Sequence, residues 1–174
     1  LPSLGTGTGL NATYYNNLDF TGTSVKRVDP KIDFSWGTGS PVSGIASDTF
    51  SVRWLGFIEP LYSEEYTIYI KSDDGMRVYI DNALVVSDYV IHSSREKSGK
   101  IRLEAGRTYP IKVEYFENKV SASARLSWSS ASQAKEVVPK IQLYTSIPST
   151  VTYQCSDGID NDGDILIDYP SDPG

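Results

Sequence analysis

A chain of 174 residues and 19.2 kDa is long enough for one substantial core and a short appendage, but not for two full domains. Its mean hydropathy of −0.29 and 39% apolar content, with no long apolar run, exclude a bilayer-spanning helix, and no basic–apolar signal peptide opens it. Sixteen Lys and Arg against twenty-two Asp and Glu (net charge −6) oppose a nucleic-acid partner, and a lone cysteine excludes an internal disulfide framework or a Cys-rich zinc site.

Leu1 stands where a start methionine would be, as expected of an excised or processed piece. Residues 1–9, where Gly5, Gly7 and Gly9 alternate with threonines, read as a linker. Residues 10–15 form a first predicted strand, which also holds the N-glycosylation triplet Asn11-Ala12-Thr13. Turns around Phe20 lead to a short strand at 24–28, ended by Asp29-Pro30. Ile32, Phe34 and Trp36 then alternate ahead of a Gly/Ser/Pro-rich loop at 37–44. From 49 to 58, Phe50, Val52 and Trp54 occupy one face of a strand and Ser51, Arg53 and Leu55 the other.

Residues 66–70 alternate again, and Met76, Val78 and Ile80 continue the pattern beyond Ser72-Asp73-Asp74-Gly75. This reads as strand, acidic break, strand. A turn at 81–83 leads to 84–86, and a polar loop holding His92 is expected from 88 to 100. Further strands are predicted at 101–103, 109–116 and 123–128, with a last short one over 137–144 carrying Pro139 at its edge. Apolar spacing of helical period persists nowhere, and twelve tyrosines suit strands, so the expected fold is all-β: an antiparallel β-sandwich over residues 10–144. Basic residues at Arg95, Lys97, Lys100 and Arg102 form only a loose cluster, read as a solvated loop.

Two adjacent carboxylates repel each other, so Asp73-Asp74 has two readings. One is a surface turn closed by Gly75; the other is a hard, oxygen-liganded cation such as Ca2+. Catalysis finds little support. His92 stands alone, with Ser93 and Asp88 too near in sequence for a triad, and reads as a surface histidine; no spacing singles out a carboxylate pair.

Six segments in order resemble the PA14 domain, a β-sandwich module of secreted glycosidases, adhesins, flocculins and clostridial surface sensors. They are Gly9-Leu10-x-Ala12-x-Tyr14-Tyr15, Phe50-x-Val52-Arg53-Trp54-x-Gly56, the 66–81 core with Ser72-Asp73-Asp74-Gly75, Leu103-x-Ala105-Gly106-x-x-Tyr109-Pro110-Ile111, Glu114-Tyr115-Phe116, and Ala124-Arg125-Leu126-x-Trp128. The resemblance implies an extracellular, non-catalytic carbohydrate-binding module with covalently linked neighbouring domains. It also implies a Ca2+ site in which two aspartates joined by a cis peptide, here Asp73 and Asp74, meet the Asn118 side chain and backbone carbonyls near Val120 and Ala122. A glycan or polysaccharide hydroxyl would complete the shell. Trp36, Tyr89 and His92 are candidate lining residues, each also readable as a core or plain surface residue. The chain departs from flocculin-type lectins at Ala122, where these often carry tryptophan. A structural or protein-contact spacer, in which the aspartates only stabilise a loop, is the other reading.

The tail at 145–174 is a separate element. Asp160, Asp162 and Asp164, with Asp168 four residues on, occupy positions one, three, five and nine of a calcium loop. Ile165 replaces the usual turn glycine and Ser171 the bidentate glutamate, so an acidic linker is the alternative. Cys155 in this polar setting is expected to pair with a cysteine beyond Gly174.

Overall fold

The computed structural model describes residues 5–148. The tail aspartates 160, 162, 164 and 168, and Cys155, lie outside them. Within them, alternating residues build twelve strands: β1 (Leu10–Tyr15), β2 (Ser24–Asp29), β3 (Asp33–Gly37), β4 (Phe50–Ile58), β5 (Glu64–Asp73), β6 (Gly75–Ile80), β7 (Ala83–Asp88), β8 (Arg95–Leu103), β9 (Tyr109–Glu117), β10 (Ala122–Ser129), β11 (Glu136–Val137) and β12 (Leu143–Tyr144). They form an antiparallel two-sheet sandwich, the fold expected from the sequence. One sheet runs β2-β1-β4-β9-β6-β7, with β12 continuing beside β4. The other runs β11-β10-β5-β8, with β3 sharing the edge of β10.

Two elements differ from expectation. β8 begins at Arg95, so the polar loop spans only 89–94. Residues 95–100 are almost wholly exposed and polar, yet they pair with β5 from Ser72 to Thr67 as an edge strand. The last predicted strand is broken into β11, a 3-10 turn at Lys140–Gln142 and β12.

The inward faces supply the core, where Tyr14, Phe50, Trp54, Tyr66, Tyr115 and Trp128 are all fully buried. Burial of such rings dominates core energetics, at about 1.5–3 kcal/mol for a large apolar side chain. The polar ends of two of them converge on Asp29, itself 3% exposed: it accepts from Tyr14 Oη at 2.6 Å and Trp54 Nε1 at 2.8 Å, and from Arg27 Nε at 2.6 Å.

Four connections pass between the sheets at one end of the sandwich. Pairing fixes this: Asp73 lies opposite Ser123, Gly75 opposite Phe116, Phe50 opposite Glu117, and Met76 opposite Asp88. β5 belongs to one sheet and β6 to the other, and Asp74 alone joins them. So abrupt a step leaves no room behind Gly75, where an added Cβ would stand 2.1 Å from Cε1 of Phe116. Gly75→Ala is therefore expected to lower stability by about 1–3 kcal/mol through overpacking. An unchanged denaturant midpoint would contradict that tight corner.

Candidate functional site

The corner gathers carboxylates. Asp73 ends β5, Asp74 makes the step, and Glu117 ends β9 on the same face as Tyr109, Ile111, Val113 and Tyr115. One carboxylate oxygen from each of the three lies within 4.8 Å of the others. The peptide joining Asp73 to Asp74 is cis.

Asp74 is 3% exposed and acts as a staple. Its Oδ1 accepts from the His92 backbone N–H at 2.9 Å and its Oδ2 from the Asn118 backbone N–H at 2.9 Å. It thereby holds the 89–94 loop and the 118–121 loop on either side of the corner. Asp73 accepts from the Ser94 N–H at 3.2 Å through Oδ2, and its backbone carbonyl accepts from the Tyr115 hydroxyl. Burial, then the charge of Asp74, raises the Asp73 carboxyl above its ordinary value.

Glu117 is fully buried. Tyr115 Oη donates to its Oε2 at 3.2 Å, while Oε1 is buried with no hydrogen-bond partner. Burial first, and then the charge of Asp74, pushes its carboxyl up to about 8. Burial likewise drives the Tyr115 phenol far above its usual range. A buried charge without a partner is costly, so this cluster either keeps a proton or meets a cation. The oxygen donors suit a hard cation.

Asn118 is half-buried beside these groups; its carbonyl accepts from the Thr49 N–H at 3.1 Å. Val120, exposed and at φ 85°, donates its N–H to Asp48 Oδ1 at 3.0 Å, and Ala122 is buried at the start of β10 opposite Gly37. Trp36 sits in the aromatic cluster, stacked on Phe34 with centroids 4.8 Å apart and 5.6 Å from the Tyr115 ring. Tyr89 is half-buried, edge-on to Phe116 at 4.9 Å and beneath the Arg77 guanidinium at 4.1 Å. The His92 imidazole is only 4% exposed, with Nε2 3.2 Å from Asp88 Oδ2, so it is packed inward where a surface histidine was expected.

Sequence reasoning passed over Glu117 and Asp48. The signal for Glu117 was its parity: it falls on the apolar face of β9. Asp48 lies in a loop without periodicity and gave none.

The 89–94 loop is anchored from behind by Asp88, which is 4% exposed and binds Arg95 through both oxygens at 2.6 Å and Lys97 at 2.9 Å. The Arg95 hydrogen bonds, followed by those of Lys97 and the charge of His92, hold the Asp88 carboxyl well below the usual carboxylate range, against an opposing effect of burial. Its stabilising effect is thus present above the ordinary aspartate pKa of about 3.9 and lost as pH falls below it. Asp88→Asn should melt at a lower temperature than the parent at pH 7, and the gap should narrow below about pH 4. A gap independent of pH would contradict this anchoring.

A family profile described as the PA14 domain matches residues 7–142. The chain is 51% identical over 142 residues to the anti-sigma-I factor RsgI3 of Acetivibrio thermocellus, covering 82% of this chain and 22% of that protein. It is 29% identical over 136 residues to the protective antigen of Bacillus anthracis, covering 75% and 17%. The solved structure of an anti-sigma factor domain-containing protein from Clostridium clariflavum superposes with a TM-score of 0.76 at 48% identity, over 80% of this chain and 48% of that one. A PA14 sugar-binding domain from an RTX adhesin shares the fold, with a TM-score of 0.67 at 15% identity, over 80% and 99%. The chain spans about a fifth of the length of the curated relatives it matches. It is a non-catalytic module of an extracellular or cell-surface protein, related to anti-sigma-factor sensor domains. Among the described residues no helix is long and apolar enough to cross a membrane.

Proposed function

The chain belongs to the PA14 domain family, and from that premise we propose that it is a calcium-dependent carbohydrate-binding module of a larger sensor or surface protein. The observation carrying this reading is the buried, unpartnered Glu117 oxygen beside Asp73 and Asp74. Three converging carboxylates, with Asn118 and the nearby backbone, are donors of the kind Ca2+ takes, whereas Mg2+ prefers a smaller, nearly octahedral shell. When bound, the cation would supply a Lewis-acidic centre for sugar hydroxyls. The chain's own part is to hold two loops rigidly around it through Asp74. The 89–94 loop would meet the glycan mainly through its backbone and Tyr89, because His92 is turned towards Asp88. Trp36 would act from beneath, by packing on Tyr115.

One observation favours a second reading, a spacer domain: both Asp74 oxygens already accept backbone N–H groups, so the pair can serve as a loop staple alone. A panel of plant and bacterial polysaccharides, probed with the 174-residue protein in calcium and again in chelator, separates the two. The lectin reading expects retention on at least one polysaccharide, lost in chelator and in Asp73→Asn. Calcium binding with a silent panel would leave the metal site standing and remove the sugar assignment.

A further inference from the structure

The outer face of the seven-stranded sheet is built as a cationic surface. Strand pairing places Lys26, Thr13, Arg53, Glu114 and Arg77 in one row across β2-β1-β4-β9-β6, and Leu55, Lys112 and Tyr79 in the next. Arg53 and Arg77 grip opposite oxygens of Glu114, which is 2% exposed, at 2.8 and 2.7 Å, and Lys112 stands 4.0 Å away over the Tyr79 ring. Three cations thus meet one carboxylate, and Lys26 adds a fourth positive charge at the far end of the row. Beside them a groove of about 490 Å³ runs over Leu55, Tyr79 and Lys112 to Thr145, whose carbonyl accepts from Asn11 Nδ2 at 2.9 Å.

The same chain supplies the complementary charge. Residues 151–174 contain six aspartates and no basic residue, so the whole net charge of −6 lies there and residues 1–150 are neutral. The chain reaches that segment by way of Thr145, on the lip of the groove. Twelve residues from Thr145 to Asp157 span at most about 40 Å, more than the roughly 24 Å width of five strands. We propose that the acidic segment 157–168 docks on this face, its carboxylates against Lys26, Arg53, Arg77 and Lys112, and so occupies a surface otherwise open to external polyanions.

The lone cysteine, Cys155, lies two residues before Asp157 and gives a single attachment point for a nitroxide label. Amide resonances of the labelled 174-residue protein, recorded in chelator and low salt, should broaden along β4, β6 and β9 around Arg53, Arg77 and Lys112. The broadening should fade at about 0.5 M salt, where screening shortens to a few ångströms. It should also fade in Asp160→Asn/Asp162→Asn/Asp164→Asn and in Lys26→Gln/Lys112→Gln, variants that leave the Arg53–Glu114–Arg77 grip intact. Broadening confined to residues next to Thr145, or unchanged by salt and by both variants, would overturn the proposal. So would a face that stays unbroadened in the labelled protein yet shifts its resonances on adding a sulfated polysaccharide, which would assign it to an external anion.

Discussion

Asp74→Ala is expected to abolish the calcium-dependent rise in melting temperature and to lower the stability of the metal-free protein as well. In the parent, free metal at a hundredfold its dissociation constant should add about 2.7 kcal/mol. The variant loses one carboxylate of the cluster together with both acceptors for the His92 and Asn118 N–H groups. Hydrogen bonds to a charged acceptor contribute about 1.5–3 kcal/mol each, so the metal-free protein should lose about 2–4 kcal/mol once water partly replaces them. Asp73→Asn keeps its shape and disturbs only the charge, and should lose the calcium response with a smaller effect on the metal-free fold. Thermal melts of both variants, with calcium and with chelator, check this. A full calcium response in Asp74→Ala would remove the corner from consideration as the metal site.

The second large effect lies in the core. Asp29→Ala deletes the acceptor shared by Tyr14, Trp54 and Arg27 and leaves two buried donors and a guanidinium without their partner. Truncating one member of such a buried charged network costs about 3–5 kcal/mol, a large fraction of the 5–15 kcal/mol typical of a domain. Chemical denaturation should show that loss, whereas Arg27→Gln, at the half-exposed rim, should cost less. Equal losses would mean that the ion pair, and not the buried hydroxyl and indole bonds, holds the network.

The sandwich was legible because inward apolar residues of β6 and β10 alternate with Arg, Tyr or Ser on the other face, so strand and inward face follow together. The acidic break at 73–74 was legible too, as two alternating runs interrupted by like charges. That the break is the step from one sheet to the other was not, because alternation reports burial and not which sheet a strand joins. β8 was partly hidden: residues 95–100 lie on an edge, exposed on both faces, and so carry no period. Glu117 was hidden for another reason. It keeps the parity of Tyr109, Ile111, Val113 and Tyr115, but a carboxylate straight after Phe116 and before Asn118-Lys119 looks like the start of a polar loop. His92 read as a surface residue because its partner Asp88 is a β7 residue whose inward direction emerges only from pairing with Met76.

The most direct measurement is a crystal structure of the 174-residue protein grown in calcium, with anomalous data to locate the ion. The account predicts a peak at the corner, with oxygens of Asp73, Asp74 and at least one of Glu117 or Asn118 at about 2.3–2.6 Å. Position separates this ion from any held by the tail aspartates. Density showing an empty corner at saturating calcium, with Glu117 still unpartnered, would contradict the account.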